Sequence, residues 1–78
     1  MKTEIIEVNP EILGGTPVFK GTRVPVETLF DHLESGIAID EFLTDFPTVN
    51  KGQVVEVLEL AGTFFTSDKI QRIYEIAP

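Results

Sequence analysis

The chain has 78 residues, with thirteen acidic and six basic side chains, a net charge of −7 and no cysteine. Its length sets one domain, 1–78, that buries only about 60% of its unfolded surface. Neither disulfides nor a zinc site can reinforce it, because His32 is the one histidine.

Apolar residues make up 42% of the chain, which suits a folded domain rather than a disordered tail. No run approaches the roughly 18 apolar residues of a membrane span. Met1, Lys2, Thr3 and Glu4 lead into a polar strand pattern rather than an apolar leader core. These features give the expectation of a soluble cytoplasmic protein. The acidic excess repels nucleic acid at long range and suits a partner with a basic surface. Simple solubility accounts for it equally well.

Residues 4–8 read as a strand that can pair with part of 14–24. Asn9-Pro10 breaks the run. Residues 11–13 read as a single helical turn, closed by Gly14 or Gly15 in a left-handed conformation. From 14 to 26 the chain reads GGTPVFKGTRVPV. Val18, Phe19, Val24 and Val26 are β-branched or aromatic, and the residues between them are mostly turn formers. We expect two very short strands joined by a tight turn at Lys20, Gly21 and Thr22, with Gly21 supplying φ > 0. Pro25 fixes its own φ and biases Val24 towards an extended conformation. Residues 1–25 thus form short strands and a rigid collar that delivers the chain into a helical core over 26–66.

The spacing predicts a first helix over 26–35, with Val26, Leu29, Phe30 and Leu33 on its inner face and Gly36 as its stop. A second, over 39–46, carries Asp40 and Glu41 in its first turn, where the helix dipole favours them. Phe42, Leu43 and Phe46 face inward, and Pro47 ends it. Ala38 in the capping position weakens its start by about 1 kcal/mol. The third helix, over 50–65, starts at Asn50 with Gln53 placed to complete a capping box. Val54, Val57, Leu58, Ala61, Phe64 and Phe65 form its stripe, with Val55 and Leu60 on either flank. The resulting apolar arc is roughly 220° wide, about twice what one core contact requires. Residues 67–76 fit a fourth helix, with Ile70, Ile73, Tyr74 and Ala77 at helical spacing, and a strand there stays open. The expected fold is mainly α: a three-helix, homeodomain-like helix-turn-helix bundle with a short N-terminal β-hairpin and a C-terminal helix.

The order Gly14, Gly15, Pro17, Gly21, Thr22, Arg23, Pro25, Val26 resembles the signature of the bacterial and archaeal family called domain of unknown function 433. The likeness extends through Gly36 and Phe46-Pro47 and covers roughly residues 5–62. The resemblance implies a small helix-turn-helix protein, proposed as an antitoxin paired with a PIN-like ribonuclease toxin.

Residues 47–49 match the short connection of a helix-turn-helix, with helix 50–65 in the recognition position. Its exposed strip carries Glu56 and Glu59, which do not suit a DNA groove. Lys20, Arg23, Lys51 and Gln53 are the candidate nucleic-acid contacts, too few for a monomer to bind DNA strongly. Lys-Gly-Thr is not the Gly-Lys-Ser/Thr order of a phosphate loop, so turn geometry explains the glycines. Arg23 either contacts a phosphate or partner, or holds the collar to the helices through loop carbonyls or a carboxylate. His32 lies on the polar side of its helix and reads as a solvated surface residue. Phe30, Phe42, Phe46 and one of Phe64 and Phe65 read as core. No motif marks a catalytic, cofactor or metal site or a small-molecule substrate, so the chain reads as a binding protein rather than an enzyme. Val55, Leu60, Phe64, Phe65, Ile73 and Tyr74 are the candidate interface, for a homodimer or for a toxin nuclease.

Overall fold

The computed structural model describes residues 5–66. Two strands, β1 (Ile6–Glu7) and β2 (Val18–Phe19), pair antiparallel, with Ile6 opposite Phe19 and Glu7 opposite Val18. Three helices follow: α1 (Val26–Glu34), α2 (Ile39–Asp45) and α3 (Lys51–Phe65). The expected fourth helix over 67–76, with Ile73 and Tyr74, lies outside the described residues.

The collar hairpin turns as expected at residues 20–22. Phe19 N–H donates to Val24 O and Thr22 N–H donates to Phe19 O, both at 3.0 Å. Its second arm is a single bridge between Val18 and Pro25 rather than a strand, because proline has no N–H to extend a ladder. The turn expected at 11–13 sits later, at Leu13–Gly15, with Leu13 at φ 49°, Gly14 at 67° and Gly15 at 94°. Asn9 causes the shift. Its Oδ1 accepts from Glu11 N–H and its carbonyl from Ile12 N–H, so these bonds occupy the preceding residues.

α1 ends at Gly36, φ 80°, in a Schellman arrangement. Gly36 N–H donates to Leu33 O, and Ile37 N–H donates to His32 O. α2 begins at Ala38 without a side-chain cap. Asn50 and Gln53 form the expected capping box at the start of α3. α2, the turn over 46–50 and α3 follow in helix-turn-helix order. Val49 in that turn is buried in the core.

The core draws on every layer: Phe19 from β2, Leu29 from α1, Phe42 from α2, Val49 from the turn, and Val54 and Val57 from α3. Ile5, Ile6, Phe30, Leu33, Phe46 and Leu58 pack around it. The two expectations for Phe64 and Phe65 part here. They lie on the inner stripe, yet they are 48% and 65% exposed, so neither is core. At about 1.5 Å per residue, α3 with its fifteen residues is the longest helix, against nine in α1 and seven in α2. Among the described residues, α3 gives the buried core Val54 and Val57, both from the first half of the helix.

His32 departs from its expected solvated position. Its side chain is only 19% exposed, and its ring meets Phe42 and Phe46 edge-on at centroid distances of 5.3 and 5.5 Å. Nδ1 donates to Thr28 O at 2.9 Å; a carbonyl only accepts, so the proton is on Nδ1. Nε2 lies 3.8 Å from Asp45 Oδ2, an ion pair when the imidazole is protonated. The short α2 and its aromatic residues close over this side of α1.

Candidate interaction surfaces

The collar is held by side chains as well as by glycine. Gly21 takes φ 80°. Thr22, next to it, is buried. Its hydroxyl donates to Phe19 O at 2.7 Å and accepts from Val24 N–H at 3.0 Å, locking both ends of the turn. Glu7 Oε1 accepts from Gly21 N–H at 3.3 Å, which ties β1 to the same turn. The Gly-Thr pair in the sequence therefore does two jobs: one residue supplies the left-handed backbone and the other satisfies the buried polar groups. The sequence places Thr22 in the turn, but not the two bonds of its buried hydroxyl. Its position directly after a turn glycine was the available signal.

Gln53 fastens the collar to α3. Its Nε2 donates to Lys20 O at 3.0 Å and its Oε1 accepts from Asn50 N–H at 3.1 Å. The amide so engaged is a structural tie, whatever else it contacts. Lys20 and Lys51 are exposed, one on the collar turn and the other in the first turn of α3. Arg23 is exposed too. Among the described residues no hydrogen bond or ion pair engages its guanidinium, so the reading of Arg23 as a structural pin finds no partner here. It lines a cleft of ≈ 520 Å³ with Glu7, Ile12, Gly21, Thr22, Val24 and Thr48. Lys20, Arg23 and Lys51 are all the basic residues of the described stretch. The Gln53 bond brings the two elements that carry them to one end of the molecule.

Acidic side chains occupy the helices instead. Glu27, Asp31 and Glu34 on α1, Asp40, Glu41 and Asp45 on α2, and Glu56 and Glu59 on α3 are all exposed. The basic residues of the described stretch thus gather on the collar turn and at the start of α3, with Glu7 beside them, while the exposed acids named above run along the helices. The opposite end of α3 is apolar, with Phe64 and Phe65 in edge-to-face contact at 5.5 Å. Val55, on the flank, is 41% exposed, and Leu60, on the other, is half-buried. Of the expected interface, Val55, Phe64 and Phe65 are thus surface residues, and Ile73 and Tyr74 lie outside the described residues. Among the described residues no group of three or more His, Asp or Glu side chains could hold a metal ion. Among them, too, no helix is long and apolar enough to cross a membrane.

A collar, two short helices and a capped third helix in this order define a class of small helix-turn-helix domains. The chain belongs to the family described as "Protein of unknown function (DUF433)", whose model matches residues 6–61. The fold is that of a family member from Anabaena variabilis ATCC 29413, whose crystal structure superposes with a TM-score of 0.62. That match is 26% identical in sequence and covers 97% of this chain and 71% of the other. The chain is also 37% identical over 68 residues to the uncharacterized protein y4eO of Sinorhizobium fredii (strain NBRC 101917 / NGR234). The match takes in 87% of this chain but only 29% of y4eO, so the chain spans less than a third of that relative's length.

Proposed function

We propose that this chain is an antitoxin-like module that binds a PIN-like ribonuclease in the cytoplasm through protein–protein contacts, with no catalytic step of its own. The observation that carries this reading is the far end of α3, where Phe64 and Phe65 stand exposed beyond the core. Val55, Glu56 and Glu59 add exposed apolar and acidic groups along the same helix. Exposed large apolar side chains beside carboxylates suit a partner that offers an apolar pocket within a basic surface. A ribonuclease that handles a polyanion presents such a surface. The same end of α3, through Val55, Leu60, Phe64 and Phe65, also suits a two-fold contact with a second copy, which would enlarge the core of a small domain.

Co-expression with a PIN-like ribonuclease, taken from the neighbouring gene where that gene encodes one, tests this reading. Rescue of growth, with co-purification lost in Phe65→Ser, is the expected result. Failure to rescue and failure to co-purify would reject it.

The gathering of Lys20, Arg23 and Lys51 near the start of α3 favours a second reading, in which a dimer uses that end on DNA. In a helix-turn-helix the first residues of the recognition helix meet the bases, and flanking lysines and arginines meet phosphates. Lys51, Lys20 and Arg23 occupy that end. A mobility shift on the protein's own promoter, abolished by Lys20→Glu with Lys51→Glu, is its expected signature. Absence of a shift at both low and physiological salt removes it.

A further inference from the structure

Thr16 and Pro17 of the collar and Val26, Glu27 and Phe30 of α1 line a groove of ≈ 460 Å³. Val26 and Phe30 stand one helical turn apart on the same row of α1. Val26 N–H donates to Pro17 O at 3.0 Å, which fastens the collar alongside that row. The groove's floor and walls are therefore set by a helix and by a proline, not by a loose loop. Pro17 is exposed, and Val26 and Phe30 are only half-buried, although both also pack on the core.

The next stripe of α1 is acidic. Glu27, Asp31 and Glu34 follow at i, i+4 and i+7, so they share one face along the whole helix, and all three are exposed. Among the described residues, no ion pair or hydrogen bond engages their carboxylates. No lysine or arginine occurs anywhere between Val24 and Asn50 to neutralise them. An apolar groove and an acidic row with no basic partner among the described residues thus lie side by side, with Glu27 common to both.

We propose that this groove docks a basic amphipathic segment of another protein. A leucine-sized side chain enters between Pro17, Val26 and Phe30, and lysines or arginines on the same segment pair with Glu27, Asp31 and Glu34. Each half needs the other. Exposed ion pairs alone contribute little in water, and an apolar groove alone selects no particular partner. Charge decides the occupant. Nucleic acid is repelled by this face, and a second copy brings the same net charge of −7. The proposal shares no residue with the surface at the end of α3 and does not depend on the toxin-binding reading.

The test uses the intact protein and a synthetic helical peptide of about 14 residues, with leucines at i and i+4 flanked by lysines. Amide NMR shifts should centre on Thr16, Val26, Glu27 and Phe30. Glu27→Lys with Asp31→Lys should weaken binding by at least about tenfold. Both positions are exposed, and an unchanged amide spectrum in the absence of peptide confirms that the variant is folded. Equal binding by a peptide with serine in place of leucine would reduce the effect to charge alone and overturn the proposal. Shifts centred on Phe64 and Phe65 would overturn it too. So would concentration-dependent shifts at the groove residues without peptide, which would identify a second copy as the occupant.

Discussion

Gln53 and Lys20, thirty-three positions apart, are joined by a hydrogen bond of 3.0 Å from the glutamine Nε2 to the lysine carbonyl. The same side chain accepts from Asn50 N–H through Oε1. One amide thus caps α3 and holds the collar against it. Gln53→Glu separates the two roles. A carboxylate still accepts from Asn50 and gains from the helix dipole, but it cannot donate to Lys20 and faces its carbonyl oxygen. We expect Gln53→Glu to lower stability by about 0.5–1.5 kcal/mol and Gln53→Ala by about 1–2 kcal/mol, read from urea melts. A Glu variant as stable as the parent would reduce Gln53 to a cap.

Gly21 has φ 80°, and a Cβ added there meets no atom within 4 Å. The cost of a side chain is therefore conformational alone. Gly21→Val should lower stability by at least about 1 kcal/mol, and Gly21→Asn by less, because asparagine tolerates the left-handed region. Equal melting midpoints for the two variants would show that the turn relaxes.

Leu13 is held at φ 49° and is 45% exposed. Leu13→Asn exchanges a costly left-handed leucine for a residue suited to that region. A gain of about 0.5–1 kcal/mol is expected from thermal melts. A loss would mean that the leucine contacts outweigh the backbone term.

His32 works through its ring more than its charge. His32→Ala removes two edge-on aromatic contacts and the bond to Thr28 O, and should cost about 1–3 kcal/mol. Asp45→Asn disturbs only a 3.8 Å pair whose acid is half-exposed, and should change stability by less than about 0.5 kcal/mol. Comparable losses in the two variants would assign His32 to the ion pair instead.

Phe42 and Phe65 should separate stability from binding. Phe42 is fully buried among Phe19, His32 and Phe46. Phe42→Ala should cost about 3–5 kcal/mol, a large part of the stability of a domain this small. Phe65→Ser should stay within about 0.5 kcal/mol of the parent. It should nevertheless weaken self-association in sedimentation equilibrium and partner capture in co-purification. Unchanged association and capture would move the interface away from the end of α3.

Much of the fold was legible in the sequence because its determinants are local. The capping box at Asn50 and Gln53, the stop at Gly36 and the left-handed Gly21 each depend on a few neighbouring residues. Helical spacing also gave the inner faces of α1 and α2 and the proximal half of α3. The turn at Leu13–Gly15 was misplaced because Asn9, four residues upstream, takes the first bonds.

Tertiary structure decided the rest. Periodicity puts Phe64 and Phe65 on the same stripe as Val54 and Val57, but does not tell that the first pair is exposed and the second buried. It places His32 on a polar stripe, but not under the aromatic residues of a helix seven positions further on. It offers Gln53 as a cap, but not as a donor to a carbonyl in the collar. The pattern along the chain carries the direction of a side chain and its local bonds. Burial and partnership are set by where another element ends, and that distance exists only once the helices have packed.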